Sequence, residues 1–167
     1  MSESITPWLH ILAVTVWVGP QFFIFVAAVP AVRTIEDMAV RARVLRIITT
    51  RFGWMAWAAL LVIVLSGISN LFQIGDQADL WDTDLRWYSV FSFKMLLVGV
   101  MVLLTAVHSF IVGPRQLALM EAGDTGEEAA KLRRASITIS SLILAASIIV
   151  LLLGAMLNNH EWSFQDA

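Results

Sequence analysis

Apolar residues run along the chain in four long blocks, Trp8–Val32, Phe52–Phe72, Phe91–Val112 and Ile137–Leu157, and the intervening stretches carry nearly all of the charge. Each block matches or exceeds the roughly 20 residues that an α-helix needs to cross a hydrocarbon core of about 30 Å. The pattern predicts an all-α fold: a four-transmembrane-helix bundle running up-down-up-down, with residues 1–167 forming a single integral membrane domain. Thr6-Pro7 reads as the start of the first helix, a capping hydroxyl followed by proline, and Gly113-Pro114 as the stop of the third. Pro20 predicts a kink within the first span. Between Met38 and Thr50, apolar residues alternate with arginines at helical spacing, which predicts a short amphipathic helix lying along the membrane surface. Gly123-Asp124-Thr125-Gly126 reads as a turn. Ser136, Ser140, Ser147 and Gly154 recur at intervals of 4, 7 and 7 on the last helix, a small-residue stripe suited to close packing.

Composition supports the membrane reading, with 59% hydrophobic residues and a mean hydropathy of +0.79. Nine of the 11 basic residues lie in two connections: Arg33, Arg41, Arg43, Arg46 and Arg51, then Arg115, Lys131, Arg133 and Arg134. The positive-inside rule puts both connections in the cytoplasm. The connection with Asp76, Asp79, Asp82 and Asp84 and both termini then face outside. Trp8, Trp81, Trp87 and Trp162 are expected in an outer interfacial belt, Trp54 and Trp57 in an inner one. The acidic, polar start Met-Ser-Glu-Ser lacks the basic region of a signal peptide, so the first span is expected in the mature protein. A net charge of −2 offers no basic footprint for nucleic acid. Zero cysteines exclude disulfides, iron–sulfur clusters and thiolate metal sites.

Candidate chemistry rests on the few polar residues at membrane depth, where an ionisable group is costly. Trp17 and Gln21 each fall within about 20° of His10 on the first helix, and Lys94, Met101, Thr105 and His108 within about 60° of one another on the third. These two stripes are expected to turn inward and face each other. His10 and Lys94 lie near the outer boundary, whereas His108 is 14 residues beyond Lys94, or about 21 Å along the helix. One iron therefore cannot bind both histidines, and the better site is an outer one on His10 and Lys94, with His160 on the same side.

The pattern His10-x6-Trp17-x-Gly19 with Phe22-Phe23, then Arg51-Phe52, Ser66-Gly67, Lys94, His108 and Gly113-Pro114-Arg115, resembles the CopD and HemJ group of small membrane proteins. CopD-like domains imply copper uptake or resistance at the bacterial inner membrane. HemJ-like proteins imply oxidation of protoporphyrinogen with bound haem b, using a histidine of the first helix and a lysine of the third, positions that His10 and Lys94 match. The ending Gly113-Pro114-Arg115 is closer to CopD.

Three readings follow. In a haem-b-binding oxidoreductase, His10 is an axial ligand, Trp17 lines the porphyrin with Gln21, Met101 and His108 around it, and Lys94 pairs with a propionate or moves protons. Four helices offer little surface to enclose a haem, which points to a homodimer. In a copper-handling protein, Met156 and His160, spaced i, i+4, supply soft Cu(I) donors close in depth to His10, and Met1 is a further donor. In a non-catalytic subunit of the lipid bilayer, the stripes only specify packing.

Overall fold

The computed structural model describes residues 2–75, 85–163 and 165. The expected acidic connection, Trp81, Met1 and the side chain of His160 lie outside what is described. Among the described residues the chain is entirely helical: α1 (Ser2–Phe23), α2 (Val29–Arg33), α3 (Met38–Gly75), α4 (Arg86–Val107), α5 (Gly113–Glu121), α6 (Glu127–Leu157) and the short α7 (His160–Ser163). Two π-helical turns, Ile24–Ala28 and His108–Val112, join α1 to α2 and α4 to α5. Four rods result, each long and apolar enough to span a membrane.

Both π-turns precede a proline. Val29 N–H bonds Ile24 O five residues back, and Gly113 N–H bonds His108 O in the same way, immediately before Pro30 and Pro114. A proline ring crowds the carbonyl four residues behind it and has no N–H to offer it. Widening the turn relieves that crowding without ending the rod. Gly113-Pro114 therefore does not stop the third helix, which continues to Glu121. The departure from α geometry in the first rod falls at Ile24–Ala28, and Pro20 stays within α1. Nor does Thr6-Pro7 begin α1, since the helix starts at Ser2 and Pro7 lies inside it.

The amphipathic stretch is not a separate surface helix but the first turns of the 38-residue α3. No proline interrupts residues 38–75, and Asp37 caps the start, accepting the Ala39 and Val40 N–H groups at 2.8 and 3.1 Å. Arg41 Nε donates to Ile35 O at 3.0 Å and its Nη2 to Arg33 O at 3.2 Å, which ties the preceding turn to α3. At the same end of the bundle, Gly123 adopts φ +69°, and Asp124 Oδ1 accepts Gly126 N–H at 2.7 Å, closing the expected turn. Arg46 grips Glu121 through two bonds of 2.7 Å. That hydrogen bond holds the Glu121 carboxyl below the usual carboxylate range. Its contribution is therefore present at neutral pH and lost as the pH falls through the lowered carboxyl pKa. The pair is exposed, so Glu121→Gln should lower the melting temperature slightly at low ionic strength and not in high salt.

α1 packs on α3 and on α6, α4 packs on α6, and α5 returns against α3. Neighbouring rods are antiparallel, as their registers show: Lys94 lies beside Gly154, Met101 meets Ser147, and His108 meets Ser140 and Ser136. Trp17, Ala56, Ala59, Leu60, Met101 and Ile143 form the central core, where alanines let the backbones approach. Large apolar side chains such as Ile11, Leu61, Leu96, Leu103 and Leu152 are exposed around the outside, as a lipid-facing surface requires. Trp8 and Trp54 are exposed as expected of interfacial residues. Two other tryptophans turn inward instead: Trp87 is 3% exposed against Leu157, and Trp57 stacks on Phe110 at 5.6 Å.

Candidate functional site

The expected stripes of α1 and α4 do point inward, and what they meet is the small-residue stripe of α6 together with α3. His10, Lys94 and Asn70 occupy one end of the bundle, and His108 the other.

At the first end, His10 Nδ1 is 2.9 Å from Ser66 Oγ on α3. Ser66 has a single hydroxyl proton, which it gives back to its own helix at Val62 O. The imidazole is therefore the donor, the proton sits on Nδ1, and the lone pair of Nε2 is left for another partner. Orientation of a ligating histidine by a bond at its other nitrogen is a general feature of metal and haem sites. Gly67 makes room for the ring, since a Cβ there would stand 3.4 Å from His10 Cε1. On the opposite wall, Lys94 Nζ rests against α6, 3.5 Å from where a Cβ of Gly154 would be. One turn beyond Ser66, Asn70 Oδ1 is buried with no hydrogen-bond partner among the described residues. Leu71 packs against Trp87 and Leu157 and closes this end of the bundle.

The middle layer is filled. Trp17 Nε1 donates to Ser147 Oγ at 3.1 Å, and Ser147 in turn reaches Ile143 O at 2.8 Å and Met101 Sδ at 3.2 Å. Trp17, Met101 and Ser147 are 3%, 4% and 2% exposed, respectively. Gln21 bonds Trp17 O within its own helix at 3.0 Å. These residues act as packing and polar glue between helices.

His108 Nε2 lies 3.1 Å from both Ser136 Oγ and Ser140 Oγ. Either hydroxyl alone satisfies the ring nitrogen, so single alanine substitutions should cost little, whereas the Ser136→Ala/Ser140→Ala pair orphans it. Thermal unfolding in detergent should show the double variant losing about 1–3 kcal/mol, well beyond the sum of the singles. Gly154 beside Lys94 and Ser140 beside His108 are 14 residues apart on α6, which separates Lys94 and His108 by about 21 Å along the bundle. Met156 projects about 200° around α6 from Gly154, away from Lys94. Among the described residues, no three of His, Cys, Asp and Glu gather as a metal cluster.

The haem b that the sequence resemblance implies does not fit between the stripes, because Trp17, Met101 and Ser147 close that space. The recess beside Ser66, lined by Thr6, Leu9, Val62, Leu65 and Ser66, holds about 290 Å³ and opens to the outside of the bundle. That is at the lower limit for small-molecule pockets, without the enclosure that a macrocycle needs.

Fold and site together define a multi-pass membrane protein of four helices, with polar groups held inward at two depths. The chain belongs to the copper resistance protein D family, whose model matches residues 46–157, from within α3 to the end of α6. α1, which carries His10, precedes the matched region. No curated protein and no solved structure matches the chain.

Sequence reasoning placed His10, Lys94 and the α6 stripe, and it noted Asn70 only as an uncharged companion. Ser66 as the orienting partner of His10 was not foreseen, although Ser66-Gly67 stood in the resemblance. Its phase relative to His10 depends on the α1–α3 register, which the spacing within either helix does not contain.

Proposed function

We propose that the protein handles copper at the bacterial inner membrane, taking the ion at the His10 end of the bundle and passing it on as cargo. Membership of the copper resistance protein D family carries this reading. The geometry supports it through the His10 tautomer: an imidazole whose Nδ1–H is engaged by Ser66 presents Nε2 as a copper donor. With few converging ligands, such a site holds the ion weakly, and weak binding suits transfer rather than storage. Lys94, while charged, repels a cation and weakens binding further. By the positive-inside rule the His10 end faces the periplasm, opposite the arginine-rich turns.

The test is equilibrium dialysis of the purified chain in mild detergent against buffered copper in each oxidation state, paired with copper accumulation in cells expressing it. Saturable binding near one equivalent, with changed accumulation, is the expected result. No binding in either state, with accumulation equal to that of cells lacking the protein, would remove the reading.

A further inference from the structure

Three groups at the His10 end have unused bonding capacity. His10 Nε2 has a free lone pair because the Ser66 hydroxyl proton is committed to Val62 O. Asn70 Oδ1 is buried without a partner among the described residues. Lys94 Nζ lies against Gly154, where α6 offers no side chain. Inside a membrane, where water does not compensate, an orphaned amide oxygen is unfavourable. A buried polar atom left unsatisfied in a native fold calls for an explanation, and ligation of an ion is one.

The position of Asn70 ties it to His10. At 100° per residue, Ala56, Leu60, Ile63, Gly67 and Asn70 stay on one face of α3, within about 40° of the phase of Ala56. Gly67 on that face touches the His10 ring. Asn70 follows three residues later, about 4.5 Å further along the axis. Its chain neighbour Leu71 packs against Trp87 and Leu157.

The donor chemistry then selects the ion. The chain has no cysteine. The sulfur of Met101 belongs to the packed middle layer, where Ser147 bonds it, and Met156 projects away from the Lys94 side of α6. Among the described residues, the donors that remain at this end are nitrogen and oxygen. Such a set suits Cu(II), whereas Cu(I) favours thiolate and thioether.

We propose that Asn70 Oδ1 is an oxygen ligand in the His10 site, and that the copper this site takes is therefore Cu(II). The proposal rests on the copper-handling reading and deepens it. An orphaned oxygen at a binding position has a signature that a structural asparagine lacks: its removal stabilises the empty protein and weakens the loaded one.

The experiment uses the full chain in mild detergent, with Cu(II) binding followed by titration and by electron paramagnetic resonance, and melting temperature measured without metal. Asn70→Leu, of similar volume, should bind Cu(II) at least tenfold more weakly while melting at a higher temperature than the parent. Asn70→Asp, which keeps an oxygen donor and adds charge, should bind at least as tightly as the parent. The parent should give a Cu(II) signal with nitrogen hyperfine splitting that is lost in His10→Ala. Parent-like Cu(II) binding by Asn70→Leu would overturn the assignment of Asn70 and leave the copper reading standing. So would weak binding by both Asn70 variants together with lower melting temperatures, the mark of a structural amide. Preference for Cu(I), with sulfur in the X-ray absorption shell, would overturn the oxidation state. A parent that binds copper in neither state would fail the copper reading itself, and this proposal with it.

Discussion

Trp17→Ala is expected to lose about 3–5 kcal/mol of stability, the usual cost of emptying a tryptophan-sized space in a packed core. Trp17 is 3% exposed and sits among Ala56, Ala59, Leu60, Met101 and Ile143. In lipid there is little hydrophobic drive between helices, so packing and interhelical bonds decide whether they stay together. Trp17 supplies both, because its ring fills the middle layer and its indole N–H joins α1 to Ser147 on α6. Few other described contacts tie α1 to α6. Trp17→Phe separates the two effects: it keeps most of the volume and leaves Ser147 bonded to Ile143 O, so it should cost only about 1 kcal/mol. Reversible unfolding in mixed detergent micelles measures both. Equal, small losses in the two variants would show that the middle layer is not the packed centre of the bundle.

Ser66→Ala should weaken copper binding about 10- to 100-fold, the range found when the partner that orients a ligating histidine is removed. The hydroxyl touches no ion in this account. It accepts the Nδ1 proton and so fixes both the tautomer and the ring direction. Stability should fall only modestly, because Ser66 returns its own proton to Val62 O, which keeps its bond within α3 in the variant. Ser66→Thr, which preserves the oxygen, should recover most of the affinity. A metal titration run beside a thermal melt distinguishes this from general damage: affinity should fall far more than the melting temperature. Unchanged affinity in Ser66→Ala would mean that His10 does not ligate through Nε2.

The two cases show which features one chain's pattern carries. Span number and the inward direction of each stripe follow from periodicity within a helix, and both are visible in the spacing of His10 with Trp17 and of Lys94 with Met101 and His108. The α6 stripe of Ser136, Ser140, Ser147 and Gly154 was equally readable as a packing face. Its partners were not, because pairing Ser147 with Trp17 and Gly154 with Lys94 depends on the vertical register between helices. Helix ends were misjudged for a local reason. Gly113-Pro114 was expected as a stop, but a π-turn before Pro114 lets the rod continue through Gly113–Glu121, just as another precedes Pro30. The porphyrin-lining role expected of Trp17 and Met101 rested on their shared face with the polar residues. That face is occupied by helix packing, with Trp17, Met101 and Ser147 buried against one another. Met156 was expected as a soft donor from its i, i+4 spacing with His160 and its depth near His10, and its phase on α6 turns it from the Lys94 side.

Copper binding by His10→Ala beside His108→Ala, each purified folded in mild detergent, asks where in the bundle the ion is held. The two imidazoles lie at opposite ends of the bundle, so one experiment asks whether the ion is taken and where. The account predicts that His10→Ala loses the site while His108→Ala binds like the parent. Retention in His10→Ala with loss in His108→Ala would place the ion beside Ser136 and Ser140 and contradict the account.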